Sequence, residues 1–349
     1  MDTLHFVLCG DPDTLTGGYV YDRRIIEGLR AMGWAVQRHV LPGGFPDPDD
    51  AALAAADALL AALADDNIVV IDGLCFGAMP DAARRHGGRL RLIALVHHPL
   101  AEETGLGDER RTVLFASERD ALRHARRVIV TSPFTIGVLG AYGVSANRIG
   151  VVTPGADPAP LAAGSGGPGL HLICAASLTP RKGHDILIDV LALLQDRDWR
   201  LTIAGSGDLD PQTAQDIGRR IAAAGLEERI QLVGVLNGVE MNAFYASGDL
   251  FVLASRYEGF GMVLTEALAR GLPIVSTTAG AIPHTVPGDA GFLVGADDVA
   301  ALAKVLARVM DDAVIRDGLI AGARRARDSL TDWTTAAVAF AAEVNTVTT

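Results

Sequence analysis

Twelve short runs of β-branched and aliphatic residues recur along this chain, nearly all separated by stretches with helical periodicity. That alternation confines it to an α/β fold with parallel sheets. In the first half the strand candidates are Leu4–Cys9, Trp34–Val40, Asn67–Asp72, Leu90–His97, Arg127–Thr131 and Arg148–Val152, with helical periods at Tyr19–Met32 and Asp108–His124 among them. Pro154-Gly155-Ala156-Asp157 interrupts the pattern, and Ala162–Gly169, rich in Gly and Ser, reads as a linker. The pattern resumes at Leu170–Ala176 and runs through Arg200–Ala204, Ile230–Val233, Leu250–Ala254, Pro273–Thr277 and Gly291–Val294. Helices are expected at Asp185–Gln195, Pro211–Ala224, Val263–Arg270, about 297–326 and about 331–346. At 349 residues the chain exceeds one ordinary core. The expectation is two doubly wound, Rossmann-like domains, 1–163 and 164–330, whose parallel sheets face an interdomain cleft where such folds bind ligands.

Charge excludes one class of partner. The net charge is −12, and both halves are acidic. Nucleic-acid binding rests on a basic face. Cys9, Cys75 and Cys174 are too few and too scattered for a disulfide framework or a zinc knuckle. Reduced, buried thiols are expected, and with them a cytoplasmic location. The start Met1-Asp-Thr-Leu-His lacks a basic, apolar leader pattern. The Ala/Leu-rich stretch 51–64 is broken by Asp57 and ends at Asp65-Asp66, as an ordinary helix would.

Four local features point to one ligand chemistry, a sugar joined to a diphosphate. Gly17-Gly18 follows the first strand and opens a helix, where backbone N–H groups and the helix dipole favour a phosphate. Pro180-Arg181-Lys182-Gly183 lies between a strand and a helix. Cations are unfavourable at a helix N-terminus, and Lys182 and Lys304 are the only lysines of the chain, so a pair of cations there suggests an anionic ligand. The run Glu258-Gly259-Phe260-Gly261-Met262-Val263-Leu264-Thr265-Glu266 again joins a strand to a helix. Its glycines free amides to cradle phosphate, and its two carboxylates suit paired hydroxyls. Finally, His97-His98-Pro99 ends the fourth strand. Either imidazole could bond a sugar hydroxyl, and spacing leaves open which one faces inward, because side chains alternate along a strand.

With these residues in place, the chain resembles the retaining GT-B glycosyltransferases with an E-x7-E motif, a group like glycosyltransferase family 4 that includes bacterial mannosyl- and glucosyltransferases. The likeness is strongest over 127–300. It is carried by Ser177-Leu-Thr-Pro-Arg-Lys-Gly-His184, by Ala204-Gly-Ser-Gly-Asp208, and by Phe251 through Gly261 on to Glu266-Ala-Leu-Ala-Arg-Gly-Leu-Pro273. The resemblance implies that Arg181 and Lys182 hold the donor diphosphate with the amides near Gly261–Val263 and the Gly17-Gly18 loop. It implies that Glu258 touches donor-sugar hydroxyls and Glu266 the ribose. His97, with His98 as the alternative, takes the family's position beside the sugar 6-hydroxyl, and Gly205, Gly259, Phe260 and Met262 join the donor site. It also implies a GDP-, UDP- or ADP-sugar as donor substrate, a carbohydrate or lipid-linked acceptor, front-face attack with retention, no cofactor and no metal. The last helix, about 331–349 with Trp333 near its start, resembles the family's helix that returns to the first domain. Two departures stand out. Ala176-Ser177-Leu178 replaces the family's usual Gly-Arg-Leu, and Ala279-Gly280-Ala281-Ile282-Pro283-His284 replaces its Gly-Gly-x-x-Glu.

Rival readings are weaker. A nicotinamide-dependent oxidoreductase requires G-x-G-x-x-G, and Gly205-Ser206-Gly207-Asp208 lacks the third glycine. A GT-B synthase or phosphorylase with a sugar-phosphate or phosphate acceptor is nearer, although the latter's cofactor lysine has no candidate but Lys304. A silent binding subunit is disfavoured by the intact Arg181, Lys182, Glu258 and Glu266. The Asp-x-Asp pairs Asp11/Asp13, Asp47/Asp49 and Asp208/Asp210 are of a kind that arises by chance in an Asp-rich chain, the first two contain Pro in turn-like settings, and none is expected to bind metal. Arg84, Arg85, Arg89, Arg91 and the arginines of 110–127 are interleaved with acids, so peripheral membrane contact is possible in principle and not favoured.

Overall fold

A computed structural model describes residues 3–348; Met1, Asp2 and Thr349, which fall in the expected first domain, leader reading and terminal helix, lie outside the described residues. The chain forms two compact units, one of residues up to Gly155 together with the segment from Thr331, the other Ala156–Leu330. The division falls eight residues before the expected boundary. Chemistry explains the shift: the Gly/Ser segment is pinned to the second unit. Ala162 donates to Arg270 O, Ala163 and Gly164 to Ala246 O, and Ser165 N to Asp249 Oδ1 at 3.0 Å.

In the first unit the strands are β1 (Leu4–Cys9), β2 (Val36–Leu41), β3 (Ile68–Asp72), β4 (Arg91–Val96), β5 (Arg127–Val130) and β6 (Ile149–Val151). They pair in parallel in the order β2-β1-β3-β4-β5-β6. β1 and β3 are buried along their whole length, as strands covered on both faces must be. The second unit holds β7 (Leu170–Ala175), β8 (Trp199–Ala204), β9 (Ile230–Gly234), β10 (Leu250–Leu253), β11 (Ile274–Thr277) and β12 (Gly291–Val294). Their order is β12-β11-β10-β7-β8-β9, again all parallel. Each order reverses once, between β1 and β3 in one sheet and between β7 and β10 in the other. Loops leaving neighbouring strands part to opposite faces there and leave a crevice.

Two departures of the helices from expectation have a local cause. The expected 297–326 is two helices, Val299–Asp311 and Ala313–Arg327, because the Asp312 side chain accepts from Val314 N and Ile315 N and starts a new helix. A helix at Gly238–Ala246, not anticipated, is set by a capping box in which Asn237 and Glu240 exchange side-chain and backbone bonds. The terminal helix Trp333–Asn345 belongs to the first unit and lies along the helix Gly17–Ala31. Gly28 leaves room for Ala337, Phe340 stacks on Phe6 with centroids 6.2 Å apart, and Glu343 pairs with Arg127 at 2.6 Å.

Candidate functional site

The crevice between β7 and β10 gathers the residues singled out in the second half of the chain. After β7, Pro180–Lys182 makes one 3-10 turn, and Gly183 follows at φ 65, a left-handed conformation open to glycine. A side chain at Gly183 would strike the Ala254 carbonyl at the end of β10. The two loops are thereby pressed together, and Arg256 N donates to Arg181 O at 2.7 Å. Across this seam Lys182 Nζ donates to Glu258 Oε1 at 2.6 Å, Ser255 Oγ donates to the same oxygen at 2.6 Å, and Arg181 Nη1 lies 3.6 Å from Glu258 Oε2. Arg181 Nη1 also donates to Tyr257 O at 3.0 Å. Arg256 braces the loop by bonding Asp185, Asp297 and Pro180 O.

Burial would raise the Glu258 pKa, but Lys182, Arg181 and Ser255 outweigh it and hold the carboxyl down at about 2. For Lys182 burial dominates in the other sense: it lowers the ammonium's pKa, Arg181 adds to that, and Glu258 opposes it. The pair is therefore an ionised carboxylate holding a cation that is costly to bury.

Beyond Glu258 the chain turns at Gly261, φ 86, into the helix Met262–Ala269. Among the described residues the amides of Met262 and Val263 have no backbone acceptor, so two N–H groups and the helix dipole are presented beside the Lys182–Glu258 pair. Phe260 O accepts from Thr285 Oγ1 at 2.8 Å, which fixes the turn. Glu266 sits one turn into this helix, where Tyr245 OH donates to its Oε2 at 2.7 Å. Burial raises the Glu266 pKa, against the Tyr245 bond and Arg270. Gly205 is otherwise engaged: its amide donates to Gly234 O, and its missing side chain admits the Ala176 carbonyl. The structure accounts for Gly205 by packing.

The second crevice, between β1 and β3, lies in the first unit. Gly17 and Gly18 open the helix Gly17–Ala31 after β1, Asp72 ends β3, and His97 follows β4. The two histidines have different surroundings. His97 lies against Gly18, whereas His98 Nε2 is 3.7 Å from Glu103 Oε2. His97 Nε2 stands 3.0 Å from Asp22 Oδ1 and 3.3 Å from Asp72 Oδ2. Burial opposes charge on His97, but the two carboxylates prevail and raise its pKa to about 10. Burial raises Asp22 to about 6, with His97 opposing.

Asp22 and Asp72 escaped the sequence reading, yet both carried a signal. Asp22 occupies the buried stripe 22, 25, 26, 29 of its helix, where an apolar residue belongs, and Asp72 ends an otherwise apolar strand. Two groups of side chains bring three potential donor atoms close together, Cys9/Asp72/Cys75 and Asp22/Asp72/His97, and in the second the ring nitrogen is spent as an N–H donor to the carboxylates. In the first, burial raises the Cys75 thiol well above its usual range and it donates to Asp72 O, so it is a protonated donor and a poor ligand. The Asp-x-Asp carboxylates have structural work: Asp49 and Asp210 cap helices, Asp47 pairs with Arg110, and Asp11 and Asp208 engage their own turns. Lys304 is exposed on the helix Val299–Asp311. No helix of the described residues is long and apolar enough to cross a membrane.

Comparison with known proteins adds kinship to this geometry. Residues 6–160 match the sequence profile of "Glycosyltransferase Family 4" and residues 169–312 that of "Glycosyl transferases group 1". The chain is 30% identical over 284 residues to the MMP alpha-(1->4)-mannosyltransferase of Mycolicibacterium hassiacum, covering 77% of this chain and 67% of that protein. It is 37% identical over 146 residues to the lipopolysaccharide core biosynthesis mannosyltransferase LpsB of Rhizobium meliloti, a match spanning 40% of this chain and 41% of LpsB. Among solved structures, sucrose-phosphate synthase from Thermosynechococcus elongatus superposes with a TM-score of 0.84 at 19% identity, covering 100% of this chain and 99% of that one. At that identity the likeness speaks for the fold, two parallel α/β units of GT-B type.

Proposed function

The chain belongs to glycosyltransferase family 4, and from that premise we propose that it transfers a hexose from a nucleotide-diphosphate sugar to an acceptor hydroxyl, with retention of configuration and without a metal ion. The observation that carries this reading is the meeting of Arg181, Lys182, Glu258 and the open amides of Met262 and Val263 at the β7/β10 crevice. A departing nucleoside diphosphate concentrates negative charge, and two cations with a helix N-terminus are preorganised to receive it. Glu258, ionised and fixed, offers oxygens to sugar hydroxyls, and Glu266 offers its own to a ribose.

In the reaction the bond from sugar C1 to the phosphate oxygen breaks and a bond from C1 to the acceptor oxygen forms, the acceptor proton passing to the departing phosphate. Glu258 is tied down by Lys182, Arg181 and Ser255. That favours a role in positioning over nucleophilic attack, and with it attack from the leaving-group face. The names of both curated relatives describe mannosyl transfer, which favours a hexose donor. The buried, unpaired thiols Cys9, Cys75 and Cys174 suit a reducing compartment, so the proposal includes the cytoplasm.

A thermal-shift panel of UDP, GDP, ADP and their sugars tests the reading. At about a hundredfold excess over Kd the correct nucleotide adds about 2.7 kcal/mol of stability. Failure of every nucleotide to stabilise the chain would overturn it.

A further inference from the structure

We propose that Asp22 and Asp72 are positioning residues that clamp His97 through Nε2 as an imidazolium and present its Nδ1–H to an oxygen of the sugar substrate. The inference deepens the proposed function and rests on it for the identity of the substrate alone.

Three observations carry it. The first is geometric: one ring nitrogen lies within 3.3 Å of carboxylate oxygens on two different elements, the helix Gly17–Ala31 and the end of β3. Two carboxylates converging on one N–H leave the imidazolium as the form that balances them. The second is burial. Asp22 and Asp72 are 0% and 4% exposed, and Asp22 Oδ2 has no hydrogen-bond partner among the described residues. A buried carboxylate with an unpaired oxygen is costly unless a counter-charge is adjacent. The third is that the ring is held on its remaining sides. Tyr21 meets it edge-on at 5.1 Å, with Tyr21 itself anchored by its hydroxyl on Val152 O, and Gly18 lies against Cδ2. No hydrogen bond engages Nδ1 among the described residues, so that N–H is the one left for a ligand.

Among the other titratable groups around the triad, Arg23 adds a positive charge that acts on Asp22 alone. Tyr19 OH is bonded to Cys9 O, the thiols of Cys9 and Cys75 lie beside Asp72, and Arg23 acts on Asp22 from a guanidinium held on Pro12 O. His97 is the group whose N–H reaches both carboxylates. The elevation of its pKa agrees, since burial alone would have lowered it. A cationic ring donates from both nitrogens and accepts at neither. It therefore recognises a sugar oxygen only as an acceptor, which a neutral imidazole would not require.

The test is a histidine 15N NMR titration of the full chain from pH 5.5 to 9, with the His97 signal identified by its loss in His97→Gln. The expected result is a doubly protonated His97 across the whole range, and in Asp22→Asn or Asp72→Asn a His97 that loses its proton inside it. Sugar transfer followed in parallel should acquire, in Asp22→Asn, a loss of activity above the new midpoint. The KM for the sugar substrate should rise on the order of tenfold, with partial recovery in Asp22→Glu. A structural role alone would not create that pH limb. Deprotonation of wild-type His97 near its ordinary 6.5, or unchanged titration in both Asn variants, overturns the inference. If the NMR result holds while no nucleotide sugar is turned over, the clamp stands and the proposed function falls.

Discussion

At the scale of single residues Lys182 and Glu258 neutralise each other in the free protein, and the proposed donor would have to share them. Lys182→Ala should lower turnover by about 10²–10³-fold, the usual loss when a preorganised donor to developing charge is removed. Single-turnover assays on a variant shown to be folded by circular dichroism would measure it. Two buried carboxylates give opposite pH signatures for stability. Glu258 is depressed to about 2 in the fold, so its contribution is present above its unfolded value of 4.5 and is lost as pH falls from there towards 2. Glu118, 1% exposed, accepts from Leu100 N, and burial pushes it up to about 8. Its folded form keeps a proton that the unfolded chain has released, so stability declines as pH rises from 4.5 to 8. Glu118→Gln should remove that decline and leave the variant more stable than the wild type at pH 8 by a few kcal/mol. Urea midpoints across pH 5–8.5 would show it, and parallel curves for the two proteins would refute it.

Most residues of the proposed site lie in loops rather than regular elements, and the shape of those loops is held by a few backbone positions. Gly183 combines a left-handed φ of 65 with the approach of the Ala254 carbonyl, so both reasons for glycine act at one residue. Gly183→Ala is expected to destabilise the second unit by more than about 1 kcal/mol and to displace Lys182 from Glu258. The measurements are a denaturant midpoint and loss of the nucleotide-induced thermal shift; full retention of both would show that the seam tolerates a side chain. The strand–loop–helix run from β10 to Met262–Ala269 was legible as a unit because glycine, carboxylate and helix-start signals all lie within nine residues. The helix Gly238–Ala246 was not, although its capping box is written in Asn237 and Glu240, because the apolar residues around it form no clear stripe.

For the whole molecule, the informative feature is that the chain returns to its first unit at Thr331. Phe340, Ala336, Ala337 and Val344 of the terminal helix are buried there. Phe340→Ala should cost the first unit about 3–5 kcal/mol and leave the second unit's unfolding unchanged. Calorimetry would separate the two: a selective fall of one transition is expected, and an equal fall of both would mean that the units unfold as one.

What the sequence determined by itself is whatever depends on neighbours along the chain. The α/β class, twelve strands each located within about two residues, and the segments 17–18, 97–98, 180–183 and 258–266 all followed from periodicity, glycine placement and helix-start chemistry, which act over a few residues. Tertiary structure alone decided the strand orders, the domain boundary eight residues earlier, the different surroundings of His97 and His98, and the partners of the charged groups. Lys182 meets Glu258 across 76 positions and His97 meets Asp22 across 75. The first contact is made by laying β7 beside β10, and the second by bringing the end of β4 to the helix that follows β1, with β3 between the two strands; no local pattern of residues encodes which strands will be neighbours.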